Sequence, residues 1–129
     1  MLYEIKVSIG QDKNGDDEVR YDNGTGDLIV RGSGGTPTIR FILSTPQWKI
    51  TDITFATLLG TPVNADGTNV FQRQTELPAT EVDFYDNLWL HDVGTTNRYK
   101  YTLTCKNNGS TATSDPEIQN QREPKLGGS

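Results

Sequence analysis

The segment Glu81-Val82-Asp83-Phe84-Tyr85 sets two carboxylates two residues apart, with an aromatic ring at the same parity. A carboxylate pair flanking a glycosidic bond at the right separation could act as acid and base or nucleophile. Residues at i and i+2 of a strand share a face, and there Glu81 and Asp83 stand close together. A solvated outer face is the plainer reading of such a pair. Trp89 follows four residues after Tyr85, and with Trp48 these rings could form a platform for stacking sugars. Core burial is the expectation for Trp48, whereas the sequence leaves Trp89 undecided. Tyr85 and Trp89 therefore stand as the candidate ligand surface, with Glu81 and Asp83 beside them.

Other chemistry is thinner. His91 is the only histidine and is followed by Asp92, but no Gly-x-Ser-x-Gly accompanies it, and Gly32-Ser33-Gly34-Gly35 has the wrong spacing. One histidine and one cysteine fall short of a zinc ligand set. Cys105 falls on the inward parity of its strand and reads as an inert core thiol, ahead of a catalytic nucleophile. Asp12, Asn14 and Asp16 occupy the first, third and fifth positions of a calcium-type loop. Asp17 and Asn23 stand where that loop needs glycine and a bidentate glutamate. A hairpin tip at Asn14-Gly15 is the better reading, with room for weak divalent binding. The segment Gly32–Thr36 lacks the lysine and the helix of a phosphate loop.

The elements that must position these residues are strands. Tyr3, Ile5, Val7 and Ile9 alternate with polar residues, the period of a half-buried strand. Further strands are expected at 18–21, 27–31, 38–44, 48–55, 70–75 and 81–85, with turns between them, one at Ala65-Asp66-Gly67. The run 56–59 reads as a helical turn or a strand continuation, and 87–93 has no clear period. Between Arg98 and Lys106, Tyr99, Tyr101, Leu103 and Cys105 face one way, and Asn108-Gly109 turns the chain into 110–114. Seventeen threonines and regular turn punctuation point to an all-β, antiparallel β-sandwich with little helix. Trp48 on a middle strand, and tyrosines preceding Cys105 on a late one, favour an immunoglobulin-like arrangement; the partner cysteine of a true antibody-type domain is missing.

Composition bounds the rest. The 129 residues suit one domain, expected over 1–122, with 123–129 as a flexible tail. A net charge of −5 argues against a nucleic-acid or anionic-membrane partner. A single cysteine excludes an internal disulfide. The opening MLYEIKVSIG is not signal-peptide-like, and no apolar run is long enough to span a bilayer. The expectation is a soluble, cytoplasmic protein.

The most distinctive stretch is TSDPEIQNQREP, Thr113 to Pro124. Pro116 removes a ladder donor and biases Asp115 toward extended geometry, and Asp115 can bond the backbone two residues on. The expectation is a kinked terminal edge strand, blunted by proline, with Ile118 re-seated on the core and Pro124 closing the ordered chain. Asp115-Pro116 and Glu123-Pro124, with Ile118 and Asn120 between them, give this quarter of the chain its pattern. It resembles the bacterial DP-EP family of small β-domain proteins. The resemblance implies a small bacterial β-domain and brings no activity, cofactor or catalytic residue.

The leading expectation is a non-enzymatic binding or assembly module without a cofactor, which contacts a protein partner or another copy of itself. The alternative is a carbohydrate-binding module or minor glycan-acting enzyme using Trp89, Tyr85, Glu81 and Asp83, which leaves room for a glycan or other small ligand.

Overall fold

The computed structural model describes residues 1–63 and 70–125, so the Ala65-Asp66-Gly67 turn and most of the C-terminal tail lie outside the described residues. The described residues form ten strands and one 3₁₀ turn: β1 (Leu2–Gln11), β2 (Asp17–Tyr21), β3 (Leu28–Gly32), β4 (Thr38–Leu43), β5 (Lys49–Thr57), β6 (Phe71–Arg73), β7 (Glu81–Asp86), the turn Leu88–Leu90, β8 (Thr96–Asn107), β9 (Ser110–Ser114) and β10 (Glu117–Arg122). One sheet has the order β2-β1-β4-β7-β6; the other runs β3-β10-β8-β5, with β9 also paired to β8. The all-β sandwich expected from the alternation is what the chain builds.

The sheets are mixed rather than antiparallel throughout. β1 lies parallel to β4, and β10 lies parallel to β3. Alternation reports which face of a strand is buried and nothing about the direction of its neighbour. Here the chain makes the β1–β2 hairpin, crosses to the other sheet for β3, and returns as β4 alongside β1.

Alternating residues of both sheets meet in the core. Ile5, Val7, Ile39, Phe41, Leu43, Val82 and Phe84 come from one sheet, and Val30, Tyr99, Tyr101, Leu103, Cys105 and Ile118 from the other, all buried. Edge-to-face packing of Phe41 on Phe84 and Tyr101 joins the layers. A bulge between Ile50 and Asp52 lets Ile50 and Ile53 both face inward although they are three residues apart. The Tyr101 hydroxyl donates to the Gly26 carbonyl, and the Tyr21 and Ser114 hydroxyls bond each other, closing one side of the sandwich.

At the C-terminus, β9 and β10 pair with β8 in one common register, the strands being separated only by Asp115-Pro116. Ile118 is fully buried, as the proline-kink reading requires. Two details differ from expectation. β10 is not an edge: it lies between β8 and β3, so Pro116 sits buried at a strand join. The carboxylate that serves the turn is that of Asp27, which accepts the Glu117 N–H at 2.8 Å, while Asp115 is exposed. A residue ninety positions away does what the local sequence assigned to its neighbour. After β10 the Glu123 N–H still reaches the Gly32 carbonyl at 2.7 Å, and Pro124 follows exposed.

Candidate functional site

Val82, Phe84 and Asp86 share the inward parity of β7, so the strand ends by pointing a carboxyl into the core. Ile118 and Asn120 share the inward parity of β10 in the facing sheet. Asp86 and Asn120 are both fully buried, and Asn120 Nδ2 donates to Asp86 Oδ1 at 2.7 Å. The same nitrogen lies 3.1 Å from His91 Nε2. The His91 ring stacks on Tyr99 with centroids 6.0 Å apart. Burial, and then the nearby Arg122 cation, hold the His91 ring below its ordinary pKa; Asp92 opposes them. Burial pushes the Asp86 carboxyl up to about 7, and only the Asn120 hydrogen bond works against it.

Above this cluster runs the β7–β8 loop. Leu88 is buried, while Trp89, Leu90 and Val93 are 53%, 38% and 55% exposed. The turn closes through Leu90 N–H to Asn87 O and His91 N–H to Leu88 O. Arg122, the last residue of β10, clasps the loop from outside: its Nη1 donates to the carbonyls of Trp89 at 2.9 Å and His91 at 2.6 Å. The backbone reinforces the clasp, since Gly94 N–H reaches Arg122 O and Arg122 N–H reaches Thr95 O. One charged nitrogen thus bridges two loop carbonyls, and charge-assisted bonds of this kind favour the loop conformation that makes them. The loop carries a half-exposed indole at its crest.

The residues singled out from the sequence fall on different elements. Tyr85 is 42% exposed on the outer face of β7, in register with Thr38 and Gln72. Trp89 sits on the loop beyond the strand end, and no ring contact joins the two among the described residues. Trp48 is buried. Glu81 and Asp83 do share the outer face of β7, and Arg40 ties them together: it is bidentate to Asp83 at 2.8 and 3.1 Å and reaches Glu81 at 3.0 Å. Carboxylates that share one guanidinium partner are poorly placed for acid–base work across a sugar bond.

Cys105 is fully buried, and burial pushes its thiol up to about 11. Asp12 Oδ1 accepts the backbone N–H of Asn14 at 2.8 Å and of Asp16 at 3.0 Å, so this carboxylate shapes the hairpin tip. Among the described residues no group of three His, Cys, Asp or Glu side chains is placed to hold a metal ion. Among them, too, no helix is long and apolar enough to cross a membrane. The residues that sequence reasoning missed are Asp86 and Arg122. Parity from Val82 and Phe84 pointed to Asp86, but no local signal connects Arg122 to the loop it clasps.

The sequence matches no family model, and no curated protein matches it. Among solved structures, the chain is similar to a multicopper oxidase from the hyperthermophile Aquifex aeolicus, at 8% identity and a TM-score of 0.40. The likeness covers 91% of this chain and 29% of the oxidase, so the chain spans less than a third of that protein's length.

Proposed function

We propose that the protein is a non-enzymatic binding or assembly module that presents the β7–β8 loop to a protein partner or to a second copy of itself. The observation that carries this reading is Trp89, half exposed on a loop whose carbonyls Arg122 bonds. Tryptophan is a favoured anchor of protein interfaces, and an anchor already fixed in place loses little entropy on binding. Leu90 and Val93 on the same loop are also part exposed. The groups that could have supported catalysis are otherwise engaged: Glu81 and Asp83 by Arg40, His91 by Asn120, Cys105 by the core. A lone buried thiol suits a reducing compartment such as the cytoplasm. Kinship with the DP-EP proteins belongs to the same proposal, resting on Asp115-Pro116, Ile118, Asn120 and Glu123-Pro124.

Sedimentation velocity at several concentrations, with affinity capture from the native cell, tests the reading. Concentration-dependent mass or a captured partner is expected for the wild type, lost in Trp89→Ala while the variant keeps its fold by circular dichroism. A wild type that is monomeric throughout and captures nothing through Trp89 would sink the reading. A glycan array with hits that depend on Trp89 or Tyr85 would move the assignment to carbohydrate binding.

A further inference from the structure

The hydrogen-bond count at the Asp86–Asn120 contact does not close when Asp86 is ionised. Asp86 Oδ2 and Asn120 Oδ1 are buried without a hydrogen-bond partner, one orphan on each side of a bonded pair. With a carboxylate at 86, the two N–H groups of Asn120 face four acceptors: both Asp86 oxygens, the amide's own oxygen and His91 Nε2. One proton on Asp86 Oδ2 turns that atom into a donor and leaves three donors for three acceptors. Asn120 Oδ1 is the acceptor left without a donor, so a bond between the two would satisfy both orphans together.

We propose that Asp86 stands in the folded protein as a neutral carboxylic acid paired reciprocally with the Asn120 carboxamide, and that this pair is a proton-controlled latch between the two sheets beneath the Trp89 loop. The surroundings favour the neutral form. β10 contributes Asn120 and, farther out, Arg122, whose guanidinium is spent on the loop carbonyls. The loop contributes His91, kept neutral so that Nε2 accepts, and Asp92 beyond it. β8 contributes the Tyr99 ring, β6 pairs Phe71 with Asp86, and the Asp86 N–H reaches the Pro37 carbonyl. No charged group among the described residues acts on the Asp86 carboxyl, and its acidity is set by burial. Loss of the proton to solvent leaves a buried anion with one N–H donor. The relief available is opening of the 3₁₀ turn, which lets water reach the carboxylate.

Two measurements on the full chain test this. The first follows the Asp86 carboxyl carbon by ¹³C NMR against pH, with a midpoint near neutrality expected. A midpoint in the ordinary carboxylate range, or a His91 ring that gains its proton while Asp86 is ionised, overturns the neutral acid. The second follows hydrogen exchange of the Leu90 and His91 amides, corrected for intrinsic base catalysis. If opening exposes an Asp86 of ordinary acidity, protection falls about tenfold per pH unit between the two acidities and levels above the higher. Asp86→Asn, which offers Asn120 the same donor and acceptor pattern without a titrating proton, should lose this fall in protection with rising pH, leaving only the opposite dependence that His91 brings as pH falls. Equal pH dependence in wild type and Asp86→Asn overturns the latch.

Discussion

Ile118→Ala is the sharpest test of how the C-terminus is built. Ile118 is fully exposure-free and stands in register between Leu28 of β3 and Tyr99 of β8, with a paired strand on either side. The substitution deletes roughly three methylene equivalents at about 0.8 kcal/mol each, or roughly 2.4 kcal/mol of lost transfer energy. Strands held on both sides cannot collapse into the void, so a cavity contribution adds to this, and the expected loss is about 3–4 kcal/mol within the ~2–5 kcal/mol span for such truncations. Asp27→Ala removes the acceptor of the Glu117 N–H at an exposed site and should cost about 1 kcal/mol or less. Asp115→Ala, at an exposed carboxyl that serves no turn bond, should stay within about 0.5 kcal/mol. Urea unfolding followed by circular dichroism gives all three at constant slope. A loss at Ile118 of under about 0.5 kcal/mol would refute its burial. A larger loss at Asp115 than at Asp27 would refute the assignment of the turn to Asp27.

Gly26→Ala should destabilise by roughly 2–4 kcal/mol, because strain and overpacking combine: φ is +79°, and a Cβ would meet Tyr21 Cε2 at 2.7 Å and Pro116 Cγ at 2.8 Å. Thermal unfolding reads the loss, and a neutral substitution would mean that this corner is not packed as described. Cys105 should resist thiol reagents at pH 8 in the folded protein and react once denaturant unfolds it, since burial pushes the thiol up to about 11; fast labelling of native protein would contradict its burial. Stability should depend on Asp86 with a definite sign. Its folded acidity lies near 7 against an ordinary 3.8, so the unfolded chain releases the proton first. The contribution is fully present below about pH 4, declines as pH rises, and is gone above about pH 7. At about 1.4 kcal/mol per pH unit the ceiling is roughly 4 kcal/mol. Denaturant midpoints across that window should fall in the wild type more steeply than in Asp86→Asn, and parallel curves would refute the assignment.

The alternation of Tyr3, Ile5 and Val7, and of Tyr99, Tyr101, Leu103 and Cys105, placed β1 and β8 because a strand buried on one face must write its burial into every second residue. Turn chemistry placed the Asn108-Gly109 hairpin, where Asn108 takes φ +53°. Partner choice lies beyond such a signal. The parallel pairing of β1 with β4 depends on where the chain crosses between sheets, and the bulge after Ile50 shifts parity inside β5 without changing its composition. Asp115 illustrates the same limit at one residue: the nearest carboxylate had the right chemistry for the turn, but β3 brings Asp27 to the Glu117 N–H.

The polar pair at the sandwich end was half legible for a related reason. Parity carries Val82 and Phe84 on to Asp86, and Ile118 on to Asn120, but the strand expected at 81–85 stopped one residue short of Asp86, and Asn120 stood out only as part of the C-terminal pattern. An aspartate at such a position reads as the end of a strand, because aspartates are almost never fully buried unless paired. The partner that reverses this reading lies thirty-four residues away, in the other sheet. The Trp89 loop repeats the logic at the surface. Asn87–Val93 has no period because Arg122, at the far end of β10, sets its shape through carbonyls that any residue would supply. Backbone recognition of this kind leaves no trace in the loop's own side chains. A change at Arg122 should therefore reach the backbone under Trp89 without touching the loop sequence.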